Sequence, residues 1–305
     1  MTEFNPENIK RYLKSKAKQF EIFDMKYYTP EEKECIDNFH FHLKTQLSYN
    51  NYGNNNLDDL NEFLIRLGNN SLEQIQTIGN IIKKIIKTVM DGYGMESYWL
   101  AIRVTEPSKD WDLPRWHCDG NYFWRTKERK IVSKFVTVFQ GAGTLLLKTS
   151  NKSQRKKFID LTKESYKLYK DDFGKEHREN MNNSILGDII QPTNYQSVIF
   201  FSGPKRICGI HSEPEMHTPR MFLSIVPGSI KEIDGWRNKR GGSTKGNPLL
   251  GESTKGNPLL GESTNGNPLL GGSTNGNPLL GGGCNLNYIS NKNKYLDLKQ
   301  NIMMH

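Results

Sequence analysis

Two short stretches, far apart in the chain, carry side chains that could bind one metal ion. The first contains His117 and Asp119, separated by Cys118, and the second contains His211. Side chains alternate between the faces of an extended segment, so His117 and Asp119 should project to one side and Cys118 to the other. Two imidazoles and one carboxylate hold one face of an octahedron and leave positions open for chemistry, which suits non-haem Fe(II). These three residues are therefore candidate metal ligands and the candidate catalytic centre.

A basic residue, Arg220, follows the second stretch. Arg220 lies nine positions after His211 and begins an apolar run, ending at Val226, that is typical of a strand. The planar guanidinium of arginine can bind a carboxylate through two parallel hydrogen bonds. Ser224 should lie on the same face of this strand as Arg220. His217, six residues after His211, is a second histidine in this stretch.

The order of these residues resembles the pattern of the Fe(II)/2-oxoglutarate-dependent dioxygenase superfamily. That pattern is His-x-Asp, a long interval, a distal His, and an Arg or Lys about ten residues later on a strand. Here the matching residues are His117, Asp119, His211 and Arg220. His217 fits this pattern less well than His211, because neither residue nine or ten positions after it can pair with a carboxylate. The β-rich run 197–203, which precedes His211, is also similar to the strand and loop before the distal histidine of that family. Within the superfamily, the segment from His211 to Arg220 looks most like the prolyl-hydroxylase branch.

The resemblance implies a set of cofactors and roles. His117, Asp119 and His211 would bind Fe(II), and Arg220, assisted by Ser224, would bind the distal carboxylate of 2-oxoglutarate. O2 would be the second cosubstrate, and ascorbate could serve as a reductant. Oxidative decarboxylation of 2-oxoglutarate to succinate would drive hydroxylation of a primary substrate. A protein or peptide side chain comes first among substrate classes, with a small molecule and a nucleobase left open.

The resemblance also implies an α+β fold with a double-stranded β-helix core, the cupin-like jelly roll. Residues 96–236 would form this core, with a charged helical insertion at about 152–180. Residues 1–95 would be an N-terminal helical support packed on the sheet. Strand-like runs at 98–104, 135–139 and 144–147 fit this interpretation.

Besides a short helix over residues 57–67 that ends at Gly68, three helices are predicted in the N-terminal support. The first begins at Pro6 and continues through Ile22. The second follows Thr29, which can form a capping box with Glu32, and runs toward Leu47. The third follows Ser71 and carries apolar residues at helical spacing, so its apolar stripe should pack on the back of a sheet. The stripe comprises Leu72, Ile75, Ile78, Ile82, Ile85 and Val89.

The last quarter of the chain differs in composition from the rest. Residues 241–280 form a ten-residue tandem repeat, and residues 281–305 form a tail that could contain a short helix. Each repeat contains glycine and proline and only two leucines, too little apolar surface to offset the entropy lost on ordering. The repeat is therefore predicted to be a flexible arm.

Charge permits a second, non-enzymatic interpretation. The formal net charge is +9, which favours attraction to acidic partners but is also typical of a solvated surface. Lysines and arginines between residues 155 and 170 could form a substrate-steering patch or an ordinary solvated helix face. The alternative function is a non-catalytic jelly-roll module that binds nucleic acid or a protein partner through a basic face.

The cysteines and the apolar pattern suggest a reducing, intracellular setting. The 4 cysteines are widely spaced and indicate neither a disulfide framework nor a zinc site. Cys118 and Cys208 are predicted to be small buried hydrophobic residues. The sequence has no signal-peptide core and no apolar stretch long enough to span a membrane, so a cytoplasmic or otherwise intracellular location is expected.

Four aromatic residues crowd the first ligand pair. They are Trp116, Tyr122, Phe123 and Trp124. A flat substrate could stack on such a cluster, but aromatic residues at this density also form ordinary core. The sequence leaves both interpretations open.

Truncation after residue 240 tests the prediction about the arm. All predicted ligands, helices and strands of the core precede this point, so the melting temperature and metal affinity should stay as in the full chain. Thermal unfolding and a metal titration of both forms check this. A lower melting temperature in the truncated form would mean that the repeat packs against the core.

Overall fold

A computed structural model describes most of the chain up to Lys239. The described residues are 1–15, 18–26, 28–41, 46–53, 57–109, 112–123, 132–169, 174–185, 187–203 and 206–239. Predictions for Trp124, the tandem repeat 241–280 and the tail 281–305 lie outside these residues. Within them, no helix combines the length and the apolar character needed to cross a membrane.

The described residues form a mixed α/β structure. Its helices are α1 (Pro6–Ser15), α2 (Pro30–Asp37), α3 (Leu60–Ile65), α4 (Leu72–Tyr93), α5 (Lys152–Tyr169), α6 (Lys175–Ser184) and α7 (Ile230–Lys239). Its strands are β1 (Thr2–Glu3), β2 (Phe20–Asp24), β3 (Leu47–Gly53), β4 (Ser97–Thr105), β5 (Val132–Gln140), β6 (Leu145–Lys148), β7 (Asp188–Ile190), β8 (Gln196–Ser202), β9 (Ile210–Ser212) and β10 (Arg220–Gly228).

The strands form two sheets. The large sheet has seven strands in the order β1-β2-β8-β5-β10-β4-β3, and the small sheet has three in the order β7-β6-β9. All pairings are antiparallel except that between β1 and β2. β10 lies near the middle of the large sheet, and all nine of its residues are buried.

The two faces of the large sheet contact different partners. On β10, Leu223 and Ile225 belong to the same apolar cluster as the isoleucines of α4, whereas Phe222 packs with Val136 and Phe200 on the opposite face. Side chains alternate along a strand, so Arg220 and Ser224 share the face of Phe222. We call this the inner face and the helix-covered one the outer face.

Helix α4 has strong local signals at both ends. Ser71 and Gln74 form a capping box at its start, which satisfies backbone donors that have no partner within the helix. Gly94 ends the helix in the left-handed conformation, with φ 62°, which glycine adopts without steric cost. The predicted packing against the back of a sheet is confirmed for the rest of the apolar stripe, but Leu72 is exposed.

The first two helices are shorter than predicted. Helix α1 ends at Ser15, and the residues predicted to continue it form β2, in which Phe23 faces the outer cluster while Ile22 packs toward the inner one. The capping box of Thr29 and Glu32 is present, but α2 ends at Asp37. In each case the chain forms a strand that the large sheet can pair, β2 with β8 and β3 with β4.

The charged insertion forms α5 and α6. Phe158 of α5 and Met181 of α6 pack with Ile210 of β9 and Leu147 of β6. The lysines Lys156, Lys157 and Lys163 are exposed, so within the described side chains this helix presents a solvated basic face. The helices therefore cover the small sheet, which carries one of the candidate ligands.

Candidate metal centre

The backbone brings the two ligand-bearing segments together. His117 donates its N–H to the carbonyl of His211 at 2.9 Å, and His211 donates its own to the carbonyl of His117 at 3.0 Å. This isolated antiparallel bridge places two residues 94 positions apart directly opposite each other. The rings of the two histidines are 4.2 Å apart, centroid to centroid.

The three predicted ligands converge on one point. One donor atom from each of His117, Asp119 and His211 lies within 4.8 Å of the other two. The Oδ1 atom of Asp119 is 3.9 Å from Nε2 of His117 and 3.7 Å from Nε2 of His211. Ligands on one octahedral face that each bind an ion at about 2 Å lie about 3 Å apart, so a metal would bring this Oδ1 closer to each Nε2 by less than about 1 Å.

Both imidazoles are oriented by the backbone. Nδ1 of His117 is 2.8 Å from the carbonyl oxygen of Arg115, and Nδ1 of His211 is 3.0 Å from that of Gly209. A carbonyl oxygen only accepts hydrogen bonds, so Nδ1 carries the proton in each ring. The lone pair of each neutral ring is therefore on Nε2, the atom that faces Asp119. Metal-binding histidines commonly have this arrangement.

The other oxygen of Asp119 is held by two residues that the sequence interpretation missed. Oδ2 accepts hydrogen bonds from the hydroxyl of Tyr122 at 2.5 Å and from Nζ of Lys134 at 3.2 Å. Both donors are largely or fully buried. With Oδ2 engaged in this way, Oδ1 is left to face the two histidines. The signal in the sequence was a single lysine within the apolar strand β5.

The site favours the protonation states that a metal requires. Burial, with a smaller effect of Arg115, lowers the pKa of His117 to about 3. Burial also lowers the pKa of His211. Burial alone would raise the pKa of Asp119, but Lys134 and the two imidazoles outweigh it and hold that pKa below its usual range. At neutral pH the group is thus two neutral imidazoles and one carboxylate.

An ion pair beside the metal ligands joins the two ligand-bearing segments. Nε and Nη2 of Arg115 bond the two carboxylate oxygens of Glu213 at 3.1 and 2.5 Å. Arg115 is buried, and its charge holds the pKa of Glu213 at about 2 against the opposing effect of burial. Arg115 lies two residues before His117, and Glu213 lies two residues after His211. Alternation of side chains puts each pair of residues on one face, so this spacing was a signal available in the sequence.

Arg220 is buried on the inner face. Its Nε donates to the carbonyl of Ala142 at 2.8 Å, and its Nη2 donates to Oγ1 of Thr144 at 3.1 Å. The guanidinium carbon lies 4.7 Å from the centroid of the Phe222 ring. Burial lowers the pKa of Arg220 to about 10, so the group stays charged at neutral pH. Its Nη1 takes part in neither of these hydrogen bonds.

An apolar surface connects Arg220 with the metal ligands. The ring of Phe222 lies near both the Arg220 guanidinium and Nζ of Lys134, which is 5.9 Å from its centroid. The ring of Phe200 lies 4.5 Å from that of His211. Arg220 and the three ligands therefore lie around one apolar inner face. Ser224 is buried two residues beyond Phe222 on this face.

His217 and the aromatic residues near the first ligand pair have other surroundings. His217 is exposed and lies 3.5 Å from Glu215, outside the metal group. Trp116 packs with Phe158 and other core residues. Tyr122 and Phe123 pack with a second cluster that includes Trp99 and Trp236. The described aromatic residues are therefore core, although the hydroxyl of Tyr122 also serves the metal site.

The prediction for Cys118 and Cys208 was wrong in one respect. The two residues are buried or partly buried as expected, but they form a disulfide across 90 residues of sequence, with Cα atoms 5.9 Å apart. Cys118 does point away from its two neighbours, as alternation requires. On that opposite side it meets Cys208, because the bridge between His117 and His211 aligns the two segments. Spacing along the sequence could not show this contact.

Several solved structures are similar to this chain. A prolyl-4-hydroxylase from Pseudomonas putida is 9% identical with a TM-score of 0.35, and the match covers 73% of this chain and 98% of that one. A prolyl hydroxylase from Trichoplax adhaerens, in complex with a peptide fragment of hypoxia inducible factor, is 8% identical with a TM-score of 0.37, covering 74% and 90%. A Kdo hydroxylase, described as a non-haem Fe(II) α-ketoglutarate-dependent dioxygenase, is 10% identical with a TM-score of 0.39, covering 77% and 88%.

Sequence comparisons add no family. None of the protein-family models and none of the curated proteins compared with the chain matches it.

Replacement of Lys134 by methionine tests how Asp119 is held. The variant keeps the length of the side chain but removes the donor to Oδ2, so Asp119 should lose its orientation and metal affinity should fall about 10- to 100-fold. Anaerobic titration with Mn(II) measures this. Lys148→Met, an exposed lysine of β6, is the matched control and should bind like the parent. Equal affinity in both variants would mean that Lys134 does not orient the ligand.

Proposed function

We propose that this protein is an Fe(II)- and 2-oxoglutarate-dependent oxygenase that hydroxylates its substrate. The observation that carries the proposal is the convergence of Nε2 of His117, Oδ1 of Asp119 and Nε2 of His211, with both Nδ1 atoms already engaged by carbonyls. Two histidines and one carboxylate leave the remaining positions of an octahedral ion open, and this donor set suits non-haem Fe(II).

The iron, when bound, would supply the redox chemistry by which O2 and 2-oxoglutarate oxidise a substrate. The protein's own residues would hold and orient the reactants. The carbonyls of Arg115 and Gly209 fix the two imidazoles, and Tyr122 and Lys134 fix the carboxylate. Because these supports act before a metal arrives, little reorganisation would be needed on binding. The apolar inner face would keep water away from the reacting atoms.

Arg220 would hold the distal carboxylate of 2-oxoglutarate. Its guanidinium is fixed by Ala142 and Thr144, so it is oriented in advance, and its Nη1 could donate to a ligand. A charge-assisted hydrogen bond in a buried site is stronger than one in water. Ser224, on the same face, would contribute its hydroxyl. Ascorbate would act as an accessory reductant only.

The same proposal extends to the arrangement of domains. We propose that strands β4 to β10 form a double-stranded β-helix core over residues 96–236, and that residues 1–95 support it with helices and with strands β1, β2 and β3 of the large sheet. The antiparallel bridge that joins the ligand segments supports this, since it lies between the small sheet and the segment before β5. The low-complexity arm and an intracellular location remain predictions from the sequence. The Cys118–Cys208 disulfide removes the cysteine-based reason for expecting a reducing compartment.

A protein or peptide side chain is the substrate class that we place first. The support for it is the similarity of the segment from His211 to Arg220 to the prolyl-hydroxylase branch. A small molecule or a nucleobase would use the same reaction. Stimulation of 2-oxoglutarate turnover by pools of peptides, metabolites or oligonucleotides would separate these classes.

Succinate formation tests the proposed reaction. Purified protein with Fe(II), ascorbate, O2 and 2-oxoglutarate should form succinate slowly even without a primary substrate, and His117→Ala should abolish the signal. His217→Ala, an exposed histidine, is the matched control and should keep it. If the parent binds iron but forms no succinate with or without candidate substrates, the chain is a binding module rather than an oxygenase.

Replacement of Arg220 tests the cosubstrate site. Arg220→Ala should keep iron binding but weaken 2-oxoglutarate by roughly 10-fold or more, since loss of one charged hydrogen-bond partner costs about 1.5 to 3 kcal/mol. Arg220→Lys should recover part of the affinity, because its ammonium keeps the charge but not the fork. Calorimetric titration of 2-oxoglutarate into the Mn(II)-loaded protein measures both. Unchanged affinity in Arg220→Ala would remove Arg220 from the cosubstrate site.

A further inference from the structure

The disulfide lies within the metal site's own framework. Cys118 is the residue between His117 and Asp119, and Cys208 precedes His211 by three positions. Each sulfur therefore belongs to a segment that carries a candidate ligand. The bridge joins the backs of these segments, on the side opposite the converging ligand atoms.

Every other described link between the two segments is noncovalent. The backbone bridge of His117 and His211 provides two hydrogen bonds. The N–H of Arg115 bonds Oγ of Ser212 at 2.7 Å, and the side chain of Arg115 pairs with Glu213. Within the described part of the chain, the disulfide is the one covalent tie between the segment of His117 and Asp119 and the segment of His211.

The surroundings of the two sulfurs differ. Cys208 is fully buried, whereas Cys118 is partly exposed. Arg155 of α5 reaches Cys208 with Nη2, which bonds the carbonyl oxygen of Cys208 and lies 3.3 Å from its Sγ. A buried guanidinium thus lies beside the sulfur that solvent does not reach. This asymmetry makes Cys118 the partly exposed partner of the disulfide and gives the sulfur of Cys208 a neighbouring positive charge.

We propose that the Cys118–Cys208 disulfide is a reducible positioning element of the metal site, such that its reduction by a small thiol lowers the affinity for metal. The inference rests on the proposed metal site but assigns a role to two residues outside the ligand set. With the bridge closed, the ligand segments are held at one separation. With it open, noncovalent contacts alone hold them, and the three donor atoms converge for a smaller fraction of the time.

The exchange balances with two equivalents of thiol. A thiolate attacks Sγ of Cys118, a new S–S bond forms there, and the Cys118–Cys208 bond breaks with its electron pair on the sulfur of Cys208, beside Arg155. A second thiolate attacks the external sulfur of this mixed disulfide and releases Cys118. Two protons from the thiols end on the two cysteines. The protein disulfide is reduced by two electrons, and the small thiol is oxidised to its disulfide.

Metal affinity in the two redox states tests the proposal. The full-length protein is prepared oxidised, and again after reduction with dithiothreitol that is then removed under anaerobic conditions. Mn(II) alone is the probe, and electron paramagnetic resonance of free Mn(II) gives the dissociation constant. Reduction should add two thiols per chain. It should also weaken Mn(II) binding about 10- to 100-fold, the range typical of groups that orient metal ligands.

Two variants separate positioning from general stability. Cys118→Ala/Cys208→Ala should bind Mn(II) as weakly as the reduced parent and should not respond to dithiothreitol. Cys35→Ala keeps the bridge and should behave like the parent in both states. Reoxidation of the reduced parent with oxidised glutathione should restore the affinity, but the same treatment should leave the double variant unchanged.

Other outcomes would overturn the inference. If reduction lowers the melting temperature while the Mn(II) dissociation constant of the folded protein changes less than twofold, the bridge is a structural staple only. If the parent shows no gain in thiols on reduction, the bridge does not form. A parent that binds no Mn(II) in either state would end the proposed metal site itself. That result differs from tight binding in both states, which would remove only the role of the disulfide.

Discussion

The pair of backbone hydrogen bonds between His117 and His211 is the interaction on which the rest of the site depends. Because they are directly opposite in an antiparallel bridge, their Cβ atoms are held about 5 Å apart on one face. Residues two positions away from each histidine fall on the same face, which explains the pairing of Arg115 with Glu213. Residues on the other face meet as well, which explains Cys118 and Cys208. One register thus determines the ligands, the ion pair and the disulfide.

The large sheet surrounds this site with buried residues, and its two faces carry residues of different kinds. The outer face gives the fold its main apolar cluster, including α4. The inner face carries the charged groups Lys134 and Arg220 among aromatic and aliphatic residues. Buried charge is costly without partners, so these residues are held by Asp119 in one case and by Ala142 and Thr144 in the other. The outer face thus supplies apolar packing, and the inner face carries the charged groups of the candidate site.

Sequence reasoning succeeded where the signal was local. His117 and Asp119 share a face by alternation, and Arg220 begins a strand that its apolar residues reveal. It failed where the sheet decided the outcome. Strand β3 is rich in asparagine, a residue depleted in strands, yet it pairs with β4 along seven residues. Lys134 reaches Asp119 only because of the pairing between β5 and its neighbours. The disulfide depends on contact across 90 residues, which spacing cannot reveal.

The charges at the site are compatible with the anionic cosubstrate that we propose. Among the described residues, Asp119 is balanced by Lys134 and Glu213 by Arg115, and both imidazoles are neutral. Arg220 adds a positive charge whose described hydrogen bonds go to neutral groups. A divalent ion would add two more positive charges in a place where burial weakens solvation. A dianion such as 2-oxoglutarate would offset most of this excess, with one end toward the metal and the other toward Arg220. A neutral ligand would leave the excess uncompensated, so the same buried residues that favour metal binding also favour a cosubstrate with two carboxylates.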